Sequence, residues 1–90
     1  MVTIYKYPLT SSEDIVYLHE GYKILDAQYQ DDKIVLWAVV DTYKPRSVKV
    51  LISSFNTGIE LDEPGKYVST VQIGKIVWHI FIKELARELH

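Results

Sequence analysis

Apolar and polar positions alternate with a period of two through almost the whole chain, which predicts strands rather than helices. Between Val2 and Leu9, Val2, Ile4 and Lys6 share one face and Thr3, Tyr5 and Tyr7 the other. Pro8 ends that strand or places it at a sheet edge. Thr10 to Asp14 is a polar loop, and Ile15-Val16-Tyr17-Leu18 is a short β-branched strand closed by Gly21. Tyr22 to Gln30 sets Ile24, Asp26 and Gln28 against Leu25, Ala27 and Tyr29. Asp31-Asp32 supplies a tight turn into Lys33–Asp41, whose nearly continuous apolar run predicts a central strand covered on both faces. These two segments form the strongest hairpin in the chain.

Thr42 to Ser47 holds Pro45 and reads as a loop, after which Val48, Val50 and Ile52 line one face of a strand reaching Phe55. Asn56-Thr57-Gly58 is a turn, and residues 59–66, with Asp62, Glu63, Pro64 and Gly65, have the chemistry of a connector. Tyr67–Ile73 and Lys75–Lys83 predict a final hairpin around Gly74. Its second arm puts Ile76, Trp78, Ile80 and Ile82 on one face and Val77, His79 and Phe81 on the other. Residues 84–90 change character: Leu85 and Leu89 lie four apart, which predicts a short amphipathic helical tail. The expected fold is mainly β, a single domain over residues 1–90. Its architecture is a small antiparallel β-sandwich or partly open barrel of six to seven strands with a short C-terminal helix. Trp37 and Trp78 are the expected core anchors.

Ninety residues hold one modest core, so a chain of this size usually gains stability from disulfides, metals or self-association. There is no cysteine, which removes disulfides and Cys-based zinc sites and suits a reducing cytosol. Self-association remains, and a homo-oligomer is expected. The net charge of −2, with lysines and arginines scattered, argues against general nucleic-acid binding but leaves room for one small anion. No run approaches the length of a membrane span, and the N-terminus lacks the pattern of a signal peptide. A cytoplasmic protein is therefore expected.

His19, His79 and His90 show no metal-ligand spacing, and no Walker run, nucleophile elbow or dinucleotide fingerprint is present. Neither metal, cofactor nor enzymatic activity is expected. Aromatic side chains are the enriched resource. A tyrosine offers a flat apolar face and a hydroxyl, which suits both interfaces and stacking on ligand rings. Tyr5, Tyr7 and Trp78 are candidates to stack on a base, and Lys6, Arg46 and Lys75 to contact its phosphate. Thr57 and Thr70 add small polar groups in or beside turns, and His79 lies within a strand opposite Trp78. The competing expectation is that the tyrosines rim a small core and that His79 is a hydrogen-bonded sheet histidine.

Thr3 to Leu9, Leu36 to Asp41, Asn56 to Ile59, Ser69 to Gln72 and Val77 to Phe81 resemble a family of small uncharacterised phage and prophage proteins. Its members carry Thr-Ile-Tyr-Lys-Tyr-Pro-Leu, Leu-Trp-Ala-x-Val-Asp, a Gly-Thr-Gly-His-like turn, Gly-Thr-Val-Gln and Val-Trp-His-x-Phe. The match runs to about Lys83. Asn56-Thr57-Gly58-Ile59 departs from the turn pattern, and Ser69 stands where the family has glycine. The resemblance implies a phage accessory protein acting in the host cytoplasm, and it implies no reaction. Two functions follow as expectations. One is a binder that counters host defence by sequestering a small nucleotide-like signal, for example a cyclic dinucleotide. The other is a protein-binding inhibitor or adaptor of a host protein, or a structural phage component.

Overall fold

A computed structural model describes residues 1–87. The period-two pattern becomes seven strands: β1 (Val2–Pro8), β2 (Glu13–Leu18), β3 (Lys23–Gln30), β4 (Lys33–Asp41), β5 (Val48–Asn56), β6 (Lys66–Ile73) and β7 (Ile76–Arg87). They form two antiparallel sheets, one ordered β1–β4–β3 and the other β2–β5–β7–β6. The inward residues of the first sheet, Ala27, Leu36, Ala38 and Val40, pack against Val48, Val50, Ile52, Ile80 and Ile82 of the second. Burial of these side chains is the main force holding two sheets that share no backbone ladder. Edge strands β3 and β6 abut, closing one side of the sandwich. There the Tyr22 hydroxyl donates to Glu84 Oε1 at 2.9 Å.

Turn chemistry fixes the hairpin registers. Asp31 and Asp32 both take positive φ, 51° and 66°, as a two-residue loop matching the strand twist requires. Aspartate tolerates that region better than most side chains. The pairing Gln30↔Lys33 then starts a ladder that continues to Lys23↔Val39.

The β5-to-β6 connection is of another kind. β7 lies between these two parallel strands, so residues 57–65 must return along the sheet as a strap. Thr57 sits beside His79 at one end, and at the other the Lys83 ammonium donates to the Glu63 carbonyl at 3.2 Å. The strap thus covers part of the outer face of the four-stranded sheet, along β7, while Ile15 and Tyr17 on β2 stay exposed. The outer face of the three-stranded sheet has no such cover among the described residues.

Three expectations are corrected. The alternation of Tyr22–Gln30 breaks at a bulge where the register shifts between Ile24 and Asp26. Ile24, Ala27 and Tyr29 consequently share the inner face, and Asp26 and Gln28 the outer one. Trp37 is no core anchor: it alternates with the buried Leu36 and Ala38 and so projects from the outer face of β4, half-buried. The helical tail does not form over residues 84–87, which extend β7, while residues 88–90 lie outside the described residues. A helix of so few residues is marginal, whereas a strand satisfies the backbone of Val48, Lys49 and Val50 on β5. Leu85 is the extra residue of a second bulge there, between the partners Glu84 and Ala86. No helix among the described residues is long and apolar enough to cross a membrane.

Candidate functional site

At one end of the sandwich, the β3–β4 hairpin, residues 9–12 and the start of β7 surround an open cleft of about 540 Å³. Tyr29 enters it from the three-stranded sheet and Trp78 from the four-stranded one, so two aromatic side chains face the space from opposite sheets. Leu9, Ile34 and Ile73 make its apolar floor, and Ser12, Ser54, Asp32 and Lys33 its polar rim. Backbone bonds pin the 9–12 segment to both sheets: Leu9 N–H donates to Ile34 O at 2.8 Å and Ser54 N–H to Ser12 O at 2.9 Å. The Asp14 carboxylate holds the same segment by accepting from Thr10 N–H at 2.8 Å and from the Thr10 hydroxyl at 2.9 Å.

Asp32 also accepts from the Tyr29 hydroxyl at 3.3 Å. Partial desolvation and that neighbouring carboxylate push the Tyr29 phenol above its ordinary range, so it is neutral at physiological pH. Among the described residues, the Ser12 and Ser54 hydroxyls and the Lys33 ammonium have no side-chain hydrogen-bond partner. The cleft therefore offers rings from two sides, two hydroxyls and one cation. Such a mixture of apolar walls with few polar groups is typical of small-molecule sites.

A second cluster lies on the outer face of the four-stranded sheet. His79 Nε2 meets the Thr57 hydroxyl at 2.8 Å and Nδ1 meets the Thr70 hydroxyl at 3.1 Å. Thr70 in turn shares a 2.7 Å hydrogen bond with the Tyr67 hydroxyl. Phe81 stands beside this chain, edge-on to Tyr67 and Phe55 at centroid distances of 5.7 and 5.9 Å. Three of the runs that carry the family resemblance meet here, although 9 to 22 residues separate the bonded partners along the chain. A hydroxyl can donate or accept, so both contacts survive either protonation state of the imidazole. Among the described residues no carboxylate bonds to the ring, and the arrangement ties the start of the strap to the sheet.

The third cluster bridges edge strands β1 and β2. Tyr5 packs on Tyr7 at 6.4 Å and edge-on to His19 at 5.7 Å. The Arg46 guanidinium Nε–H donates to the Tyr17 carbonyl at 2.7 Å. Tyr7 is only 6% exposed, and its hydroxyl and His19 Nδ1 are enclosed with no hydrogen-bond partner among the described residues. Burial pushes the Tyr7 phenol up, with Arg46 opposing and Tyr5 adding to the rise.

A raised folded-state value means that stability is fully present below the ordinary phenol range near pH 10 and is lost as pH climbs through the raised value. Replacing Tyr7 by phenylalanine removes a buried hydroxyl with no partner. The variant is expected to match or exceed the parent's thermal stability at pH 7 and to lose less of it between pH 9 and 11. Thermal melts across that range check this; a Tyr7→Phe protein clearly less stable at pH 7 would show that the hydroxyl is satisfied.

The nine candidate residues thus divide among several places. Trp78 lines the cleft, Thr57, Thr70 and His79 form the imidazole chain, and Tyr5, Tyr7 and Arg46 fill the β1–β2 seam. Lys6 stands on the outer face of β1, where its ammonium donates to Gln30 Oε1 at 3.0 Å, and Lys75 occupies the β6–β7 turn. Sequence reasoning missed Ser12, Lys33 and Ser54, and it gave Tyr29 no specific role. A signal for Tyr29 existed, because alternation from Ala27 sends both to the same face. Among the described residues no group of three or more His, Asp and Glu side chains converges as metal ligands would.

A seven-stranded, two-sheet β-sandwich with an open end cleft is the class of protein that these features define. The model of the domain of unknown function DUF7352 matches residues 1–89, and the chain belongs to that family. No curated protein and no solved structure matches it.

Proposed function

We propose that this protein is a binding domain without catalytic activity, which sequesters a small nucleotide-like molecule in the end cleft. One observation carries the proposal: Tyr29 and Trp78 face the same cleft from opposing sheets, beside the Ser12 and Ser54 hydroxyls and the Lys33 ammonium. Aromatic walls of this kind suit a planar base, since every base has a π-face and stacking is worth about 1–3 kcal/mol per base. Ser12 and Ser54 suit the edge of the base or the sugar, and Lys33 suits a phosphate. Asp32 offsets part of that positive charge, which favours a ligand with a single anionic group over a polyphosphate. The resemblance to phage and prophage proteins supports a role in the host cytoplasm, where removing such a signal counters host defence.

Isothermal titration with mononucleotides, the matching nucleosides and cyclic dinucleotides tests the proposal. A mononucleotide is expected to bind, with Tyr29→Ala and Trp78→Ala each weakening it about tenfold or more. Lys33→Met should reduce the preference for nucleotide over nucleoside. Absence of heat with every ligand, or binding that both aromatic substitutions leave intact, would overturn it.

A further inference from the structure

The outer face of the three-stranded sheet has an apolar stripe that no other described residue covers. Along β4, Val35, Trp37 and Val39 alternate with the core residues Leu36, Ala38 and Val40. Val35 is sheltered, because the Lys6–Gln30 hydrogen bond spans β4 from β1 to β3 above it. Trp37 and Val39 stay half-buried, while the neighbouring Ile4 and Val2 on β1 are 57% and 68% exposed. A central strand apolar on both faces is normally covered on both. The strap crosses part of the other sheet's outer face, and among the described residues nothing crosses this one. A tryptophan flanked by exposed aliphatics on an open sheet face has the composition of an interface core.

Register identifies what covers it. In the row through Trp37, Lys6 lies on one side and Asp26 on the other. In the row through Val39, the corresponding neighbours are Ile4 and Lys23. A two-fold axis parallel to β4 and lying in the interface keeps each row in place and exchanges its two sides. Trp37 then meets Trp37 and Val39 meets Val39. Lys6 of each copy meets Asp26 of the other, and the aliphatic stem of Lys23 lies over Ile4. Opposite charges are thus placed for pairing twice by one symmetry operation.

We propose that this face is the interface of a symmetric homodimer, centred on Trp37 and flanked by two reciprocal Lys6–Asp26 pairs. Asp26 supplies the anion: hydrogen bonds from the Gln28 side chain, the Ala27 N–H and the Ser69 side chain hold its carboxyl below the ordinary range, with desolvation opposing. Lys6 exchanges the neutral Gln30 amide for a charged acceptor, the stronger of the two. Three strands about 4.8 Å apart over seven positions of about 3.3 Å give a face of roughly 15 by 23 Å. That is roughly 350 Å² per copy, well under the roughly 800 Å² per partner of a standard specific interface, so the dimer is weak and forms reversibly with concentration.

Sedimentation velocity of the full chain over a concentration series tests this. The wild-type protein is expected to pass from monomer to dimer, and Trp37→Glu to stay monomeric throughout. Lys6→Asp and Asp26→Lys should each weaken association about tenfold or more, and the two together in one chain should restore it. Circular dichroism verifies folding. Should Asp26→Lys fail to fold, because Asp26 also anchors its own bulge, Gln28→Lys, one row along on the outer face of β3 and diagonal to Lys6 of the other copy, replaces it as the like-charge probe. A chain that is monomeric at every concentration overturns the proposal, whatever else binds this face. So does a dimer that Trp37→Glu leaves intact. Failure of the double charge exchange to recover association overturns the two-fold arrangement.

Discussion

Replacing Gly65 by alanine is expected to destabilise the protein by about 2–5 kcal/mol, far more than the same change at Gly58. Both glycines have strongly positive φ, 96° and 91°, so both substitutions carry the conformational penalty of a side chain in that region. Only Gly65 adds a collision. A Cβ there would press into the backbone carbonyl of Ile82 and lie 2.9 Å from the Lys83 Cβ, whereas at Gly58 it meets nothing within 4 Å. The nearest obstruction is the Ile82 backbone carbonyl of β7, a strand held on both sides by β5 and β6 that cannot retreat cheaply. Gly65 is where the strap closes down onto the sheet before β6 begins. Chemical denaturation of both variants checks the difference. Equal midpoints would mean that the strap sits higher above β7 than these contacts require.

That strap also shows what a linear reading can and cannot recover. Residues 59–66 were legible as a connector because Asp62, Glu63, Pro64 and Gly65 disfavour regular structure. That the connector crosses the face of β7 follows from β7 entering between β5 and β6, an arrangement between segments far apart in sequence. The meeting of Thr57, Thr70 and His79 depends on the same insertion. Each residue could be singled out by its type and its turn or strand, but their mutual hydrogen bonds arise only from the order β5–β7–β6.

Strands were legible wherever side-chain burial dictated an unbroken period of two, as in Val48–Val50–Ile52 and Trp78–Ile80–Ile82. The bulge between Ile24 and Asp26 was hidden, because Ile24, Asp26 and Gln28 alternate without interruption in the sequence. Packing decides there, since Ala27 must face the core opposite Leu36. Trp37 misleads for a related reason. Hydrophobicity predicts burial, but in a strand apolar throughout, only the partner sheet determines which face is inner. At the tail, the four-residue spacing of Leu85 and Leu89 matches a helix, yet the hydrogen bonds offered by β5 outweigh a nucleus too short to propagate. Of the site, the stacking and phosphate-binding residue types were legible. Their distribution among a cleft, a seam and an outer face was not.

Truncating Ile80 to alanine tests whether the packing between the sheets carries the stability. Ile80 is fully enclosed in β7, paired to Ser54 on one side and Ser69 on the other. Deleting three buried carbons costs their transfer free energy plus that of the cavity left behind, about 2–5 kcal/mol for this exchange. A ninety-residue domain commonly has only about 5–13 kcal/mol in total, and each kcal/mol shifts Tm by about 4–8 °C. The expected fall is therefore about 8–40 °C, read by thermal circular dichroism. Ile76→Ala is the control on the same strand: that residue is 52% exposed and pairs at the hairpin end, so its change should stay within about 1 kcal/mol. Because β7 presents Trp78 to the cleft and His79 to the strap, loosening it at Ile80 should weaken ligand binding at temperatures where the fold persists. Ile76→Ala should leave that binding unchanged. If both variants melt alike, the two sheets do not share the core that places Trp78 opposite Tyr29.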